Sequence, residues 1–445
     1  MVECDVTESE LKKIALGACF LGSGGGGGLK TSSDFITKYL ANLSEDEKNR
    51  KLQLVDLDDV TEKHTGIVVA YMGAPQKADS IKCPDAVCEV INKFWEDKGK
   101  RIDFIIPAEI GAVSTIAACL TAHKLNKPVL NVDGAGRAVP TLDLVTYTTN
   151  AHVSVNPTIL CSEKTDKDPV YHQVKLEISD DTEPGAASKM ESLARPVLNM
   201  PEFDQKAGLV MWYFENVTKL KDKHASVQGT LTFCQKLGGA IQSMQSENWE
   251  FSKIEELFKS QSIYPAIKEN YSAIKEICRG KLESATTSTA GGFDVGVITI
   301  EAEDEAKAKA EDDSEHLYKI IFQNESLILW DSNNADPLVM APDLISYLIE
   351  DDEKNYVFTN GDIMKNGELK EDLKGKNIVV YGIAAPDALT KSESNMMDKR
   401  KDILRNTIAG VEPNALPKHY MSILNNVGYY GQTISIKKLR KQTLK

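Results

Sequence analysis

Between residues 52 and 132 the hydrophobic pattern switches repeatedly between two periods, and that switching constrains the fold more than any other feature of the 445-residue chain. Ile67-Val68-Val69-Ala70-Tyr71, Ile102 to Ile106 and Pro128 to Val132 are short apolar runs of the kind buried on both faces of a parallel sheet. Between them lie two helical patterns. One begins near Pro84, with Val87, Val90, Ile91, Phe94 and Trp95 on its apolar side, and the other spans Ala112 to His123; proline suits a first helical turn. Leu52, Leu54 and Val55 add an earlier strand. Strand, helix, strand, helix, strand predicts an α/β unit with a parallel sheet.

Thr7-Glu8-Ser9-Glu10 has capping-box spacing, and Leu11, Ile14, Ala15 and Ala18 follow at helical intervals. The block Gly22-Ser23-Gly24-Gly25-Gly26-Gly27-Gly28 therefore joins two helices, the second carrying Phe35, Ile36, Tyr39 and Leu40 on one face. The polar run Ser162 to Val170 marks a domain boundary. Beyond it the pattern is mixed. Val174 to Ile178 alternates like a half-wet strand, Leu209 to Phe214 resembles another, and Gly229 to Met244 and Ile254 to Arg279 read as helices, the latter broken near Pro265. Val295 to Ile300, Leu317 to Phe322, Leu327 to Trp330 and Ile378 to Tyr381 are short strands, with a solvated insertion at Glu301 to Glu315. The expected architecture is an N-terminal parallel-sheet α/β domain over 1–165, a C-terminal α+β domain rich in short strands over 166–385, and an extension with a basic tail over 386–445.

A formal charge of −14 makes nucleic acid a poor partner, and the basic cluster at the extreme C-terminus reads as a solvated tail. The acidic N-terminus lacks the features of an export signal, and the longest uncharged apolar stretch, Ile110 to Ala122, is shorter than the ~18 residues a membrane span needs. Eight scattered cysteines without CxxC pairs fit reduced thiols. A cytoplasmic protein with no membrane segment is expected.

Ligands of open parallel sheets bind outside the carboxyl ends of the strands. Three turns should meet there: Met72-Gly73-Ala74-Pro75, Pro107-Ala108-Glu109-Ile110-Gly111, and Asp133-Gly134-Ala135-Gly136-Arg137-Ala138-Val139-Pro140. Glu109 and Asp133 would then be paired carboxylates beside Arg137, suited to proton transfer and anion stabilisation. The plainer alternative is that the glycines only turn the chain while Arg137 forms a salt bridge with Asp133. The glycine block matches a dinucleotide pattern as Gly22-x-Gly24-x-x-Gly27, but a helix precedes it where a strand is required. A phosphate loop fails because Leu29 separates Gly28 from Lys30-Thr31. Two readings stay open: amides closing over an anionic or carbonyl-bearing ligand, or close helix packing and a flexible lid. The seven histidines show no HxH or HExxH spacing, although folding could unite His152 with Glu109 and Asp133. No cysteine sits in a glycine-rich turn as a nucleophile would.

Gly22-Ser23-Gly24-Gly25-Gly26-Gly27, Met72-Gly73-Ala74-Pro75, Glu109-Ile110-Gly111, Asp133 to Pro140, Gly229-Thr230, Phe322-Gln323-Asn324-Glu325 and Pro342-Asp343-Leu344-Ile345 together resemble the S-methyl thiohydantoin desulfurase family, whose members are often encoded beside hydantoinase and oxoprolinase modules. The resemblance spans residues 10 to 385. It implies two domains and a hydrolytic desulfurase acting at C2 of a small cyclic thiohydantoin or related ureide. Glu109 or Asp133 would activate water, and Arg137 would hold the developing anion. Gly24, Gly25, Gly26, Gly27, Gly73, Ala74, Gly134, Asn324 and Glu325 would bind the ring. No cofactor follows from the sequence; a divalent metal among the carboxylates, a homo-oligomer and a hydantoinase-type partner stay open. The chain departs from the family pattern at Gly28, Ser80-Ile81, Ala112, Ser114 and Asn131, and the departures near the glycine block and at Ser80 support a second reading, a noncatalytic member that binds a metabolite or a hydantoinase-type partner.

Overall fold

A computed structural model describes residues 2–73, 84–164, 168–183, 185–244, 251–259, 270–271, 273–290, 293–303, 316–333, 336–350 and 355–390. Most of the Glu301–Glu315 insertion, residues 391–445 of the C-terminal extension, Ala74 and Ser80-Ile81 lie outside them.

The first sheet has eight strands in the order Val2–Asp5, Lys51–Val55, Val129–Leu130, Phe104–Pro107, Gly66–Gly73, Lys206–Phe214, Thr158–Cys161, Gln173–Leu176. Its four middle members from Lys51–Val55 to Gly66–Gly73 are parallel, as the continuous apolar runs require. Helices Asp85–Phe94 and Ala112–Lys124 make the crossovers. The second of these is buried almost all round because it is packed between the sheet and the first two helices. Lys206–Phe214 lies antiparallel beside Gly66–Gly73, and Gln173–Leu176 closes the edge. The sheet thus continues past the boundary expected at 165. Helix Thr230–Met244 also returns to this half and packs along helix Glu8–Leu21.

The second sheet is antiparallel, with the main order Asp336–Met340, Glu325–Asp331, Leu317–Gln323, Phe293–Ala302, Ile274–Ala290, Asn377–Ile383, Leu344–Glu350, Asn355–Val357. All four short strands expected from the sequence are present in it. Helix Phe251–Lys259 matches the first part of the helix expected over Ile254 to Arg279, but from Ile274 the chain is a 17-residue strand. Ile274, Ile277 and Cys278 happen to satisfy helical spacing, while bulges at Glu276/Cys278 and Leu282/Ser284 break the two-residue alternation that would mark a strand. One apolar core runs through the seam: Leu344, Leu348, Val379, Tyr381 and Ile383 of the second sheet join the cluster that holds Phe20 and Ile116. The Phe20 and Tyr381 rings meet at 5.8 Å.

Candidate active site

The glycine block stands at the centre of the site. Helix Glu8–Leu21 ends where the Gly22 amide bonds back to the Ala18 carbonyl, and helix Leu29–Ala41 starts after Gly28. In between, the backbone joins the two halves. The Ser23 and Gly24 carbonyls accept the amides of Ser326 and Asn360 at 2.7 Å each, and the Gly26 carbonyl accepts the Val113 amide at 2.9 Å. Gly26 has φ +72°, and a Cβ on it would lie 2.4 Å from the Gly111 Cα. Only glycine can pass there.

A cleft of about 100 Å³ opens on this seam, room for a small ring with a few waters. Of the residues expected to contact a ligand, Gly26, Gly27, Gly73, Glu109, Asn324 and Glu325 line it. Gly24, Gly25, Asp133, Gly134 and Arg137 do not. Ala74 falls outside the described residues, and His152 is exposed at φ 51°, away from the lining.

Glu109 follows the strand Phe104–Pro107, and its two carboxylate oxygens are held separately. The Ser114 hydroxyl donates to Oε1 at 2.7 Å and the Val139 amide to Oε2 at 2.7 Å. Burial pushes this carboxyl from 4.5 up to about 7; the Asp133 charge pushes the same way, while the two donors and the Arg137 guanidinium pull it back. Glu325 comes from the other domain. It follows Asn324, whose left-handed backbone (φ 57°) is pinned by an exchange of bonds with Asp294: the Asn324 amide donates to the Asp294 carbonyl at 2.7 Å, and the Asp294 amide to Asn324 Oδ1 at 2.8 Å. Burial and then the Glu109 charge push Glu325 up to about 8, and its Oε2 has no hydrogen-bond partner. A Cβ on Gly25 would sit 2.1 Å from Glu325 Oε1, so the missing side chain is what admits the acid.

Asp133 and Arg137 lie behind this wall. Asp133 is fully buried and accepts the amides of Ala135 at 2.8 Å and Gly136 at 2.5 Å, closing the turn. Burial raises its carboxyl to about 7 against those donors and the Thr230 hydroxyl. Arg137 is also fully buried and donates to four carbonyls: Ala138, Pro342, Asp343 and Ser326, at 2.9 to 3.1 Å. Three of these belong to the second domain, so the guanidinium ties the seam. No Arg137–Asp133 salt bridge is present among the described residues. Among the described residues no group of three or more His, Cys, Asp and Glu could hold a metal ion, and both oxygens of Glu109 are taken by protein donors. No helix among them is long and apolar enough to cross a membrane.

The family model for the S-Me-THD-like N-terminal domain matches residues 9–170, and the model for the S-Me-THD-like C-terminal domain matches residues 186–397. The chain belongs to the S-methyl thiohydantoin desulfurase-like family. An X-ray crystal structure of a Chromobacterium violaceum protein, a structural-genomics target, resembles this S-Me-THD-like chain with a TM-score of 0.72 and 26% identity, over 98% of this chain and 100% of that one. No curated protein matches.

Several lining residues of this S-Me-THD-like chain escaped sequence reasoning. Ser114 supplies the hydroxyl on Glu109. Away from the lining, Asn131 donates to Asp56 and Thr232 and accepts the Leu231 and Thr232 amides, so an acid there would face Asp56. Near Gly28 the Asp362 carboxylate receives the Leu29 amide at 2.8 Å. Glu191 and Arg195 line the cleft from helix Ala186–Leu198 as an i,i+4 pair at 2.6 Å. The pair was legible; its docking against Leu142, whose amide Glu191 accepts at 2.8 Å, was not. Lys206 also lines the cleft, and nothing local in the sequence marks it.

Proposed function

We propose that the cleft hydrolyses the C2–sulfur bond of a small cyclic thiohydantoin or a related thioureide. The observation that carries this reading is the pair Glu109 and Glu325, one from each domain, facing one cleft with carboxyls raised to about 7 and about 8. Near neutral pH such a pair holds one proton, so one member is a base while the other is an acid. Glu109, fixed by Ser114 and Val139, takes a proton from water as the water oxygen bonds to C2. The tetrahedral anion lies against the backbone at Gly26 and Gly27. Glu325, its Oε2 unpartnered, then protonates the departing sulfur; the C2–S bond breaks, a thiol or sulfide leaves, and C2 keeps the oxygen. The apolar lining of Met72, Val113, Val139 and Leu209 suits the faces of a small ring.

The test is Glu109→Gln, assayed for thiol or sulfide release from 2-methylthio- and 2-thiohydantoins. Loss of the base should lower turnover by about 10²- to 10⁴-fold with the melting temperature retained. Undiminished turnover removes the proposed base. Tight binding by the native chain without any product would favour a noncatalytic member.

A further inference from the structure

Asp133 has no part in the proton transfers just described, yet the turn it closes surrounds the base. Its Oδ1 accepts the amides of Ala135 and of Gly136, whose left-handed backbone (φ +67°) bends the chain toward Arg137. That segment then holds Glu109 at three points. The Gly134 amide donates to the Ala108 carbonyl at 3.0 Å, just before the acid, and the Ile110 amide donates to the Arg137 carbonyl at 3.3 Å, just after it. The Val139 amide reaches the carboxylate itself, donating to Oε2 at 2.7 Å. From outside, the Tyr271 hydroxyl donates to the Gly136 carbonyl at 2.5 Å and the Tyr147 hydroxyl to the Pro107 carbonyl at 2.7 Å. Asp133 is fully buried and off the cleft lining, so a ligand in the cleft does not touch it. Its Oδ2 and the Thr230 hydroxyl near it both lack hydrogen-bond partners. A bare oxygen sealed from water disfavours the charged carboxylate, and a neutral side chain that still presents Oδ1 would close the same turn.

We infer that Asp133 is a positioning residue: by closing this turn it brings the Val139 amide to Glu109 and so holds the base in its charged form. This rests on the reading of Glu109 as the base and deepens it. The charged groups facing Glu109 are Glu325, Asp133 and Arg137. Around Asp133 stand Tyr147, Tyr271 and Cys234, which burial keeps protonated. The Asp133 charge acts on Glu109 in the opposite sense from its turn, raising the carboxyl that the Val139 donor lowers. Removing the side chain therefore changes two things at once.

Asp133→Asn and Asp133→Ala separate them, because both abolish the charge and only the first keeps Oδ1. The measurement is the acidic limb of kcat/KM for methanethiol release from a 2-methylthiohydantoin. The limb of Asp133→Ala should lie about one pH unit or more above that of Asp133→Asn, as expected when a buried carboxylate loses a donor. Asp133→Asn should keep kcat at its optimum within roughly threefold of native, far from the ~10²-fold or greater loss of an acid or base. Its limb should stand at or below the native one, since a like charge has gone. A loss of stability alone would lower the melting temperature without parting the two limbs. Coincident limbs in the two folded variants overturn the inference and leave the reaction standing. So does a loss in Asp133→Asn as deep as that in Glu109→Gln, because Asp133 would then move a proton itself. If Asp133→Ala does not fold, Asp133→Asn decides alone: a limb above the native one overturns the inference, and one at or below it with kcat retained supports it. Undiminished turnover in Glu109→Gln removes the base reading and the inference with it.

Discussion

Replacing Ser114 with alanine isolates the electrostatics of the proposed base. The hydroxyl donates to Glu109 Oε1 at 2.7 Å inside the wall of the cleft, and it stabilises the charged form of the carboxyl more than the neutral one. Losing a hydrogen bond to a buried charge costs about 1.5–3 kcal/mol, and 1.36 kcal/mol moves a pKa by one, so the carboxyl should rise by about one to two. From about 7 it would reach the level of Glu325, at about 8, or pass it. The proposed mechanism needs Glu109 ionised and Glu325 protonated. In the native chain it should therefore show a bell-shaped profile of kcat/KM, with limbs near 7 and 8 that belong to the pair. In Ser114→Ala the acidic limb moves to higher pH, and the fraction in the working protonation state at the optimum falls on the order of fivefold. Ser114→Thr keeps the hydroxyl and should keep the limb. The assay is release of methanethiol from a 2-methylthiohydantoin between pH 5 and pH 10, read with a disulfide reagent that responds over that range. An acidic limb that stays put in a well-folded Ser114→Ala, or one that shifts to lower pH, refutes Glu109 as the base.

Two further changes test the site through stability. Glu325 is raised from 4.5 to about 8 on folding, so its contribution is fully present below 4.5 and is lost as pH rises toward 8, by roughly 5 kcal/mol in all. Glu325→Gln carries no charge, so its unfolding free energy in urea should fall less than that of the native chain between pH 5 and pH 9; equal falls would show that Glu325 does not titrate where burial places it. Arg137→Met strips hydrogen bonds from the buried carbonyls of Ser326, Pro342 and Asp343, and at about 1–3 kcal/mol for each orphaned group it should destabilise by about 3 kcal/mol or more. An unchanged melting temperature would contradict the seam-tying role.

The parallel core was legible because strands buried on both faces read as unbroken apolar runs, and Ile67 to Tyr71 is such a run. Lys206–Phe214 reads the same way although it is antiparallel, since burial on both faces erases alternation whatever the strand direction. Its assignment to the first sheet was therefore hidden. Glu109 was legible as an acid in a glycine-bearing turn after a buried strand, whereas Glu325 was marked only by the family resemblance. The task of Arg137 was not: an arginine beside an aspartate in a glycine-rich turn looks alike whether it faces a ligand or carbonyls, and the deciding carbonyls are 189 to 206 residues away. Ser114 and Lys206 share that obscurity, because their places in the cleft depend on which wall they reach after the sheet has formed.

The glycine block resolves into two kinds of work. Gly26 and Gly27 line the cleft, whereas Ser23 and Gly24 fasten the second domain and Gly25 leaves space for its acid. That division explains why the block resembles a nucleotide loop without the flanking elements such a loop requires: its carbonyls bind protein, and its missing side chains matter as much as its amides. It also makes the carboxyl pair a property of the closed seam. Either glutamate on a separated domain would be wetter and more ordinary in its acidity, since burial is the largest cause of both shifts. Arg137 acts on the pair in two opposing ways. Its charge lowers both carboxyls, while its grip on the Pro342 and Asp343 carbonyls keeps water out and so keeps them high. A neutral replacement that left the seam shut would raise the whole pH profile, and one that opened the seam would lower it. The direction of that shift in Arg137→Met therefore measures which of the two effects dominates.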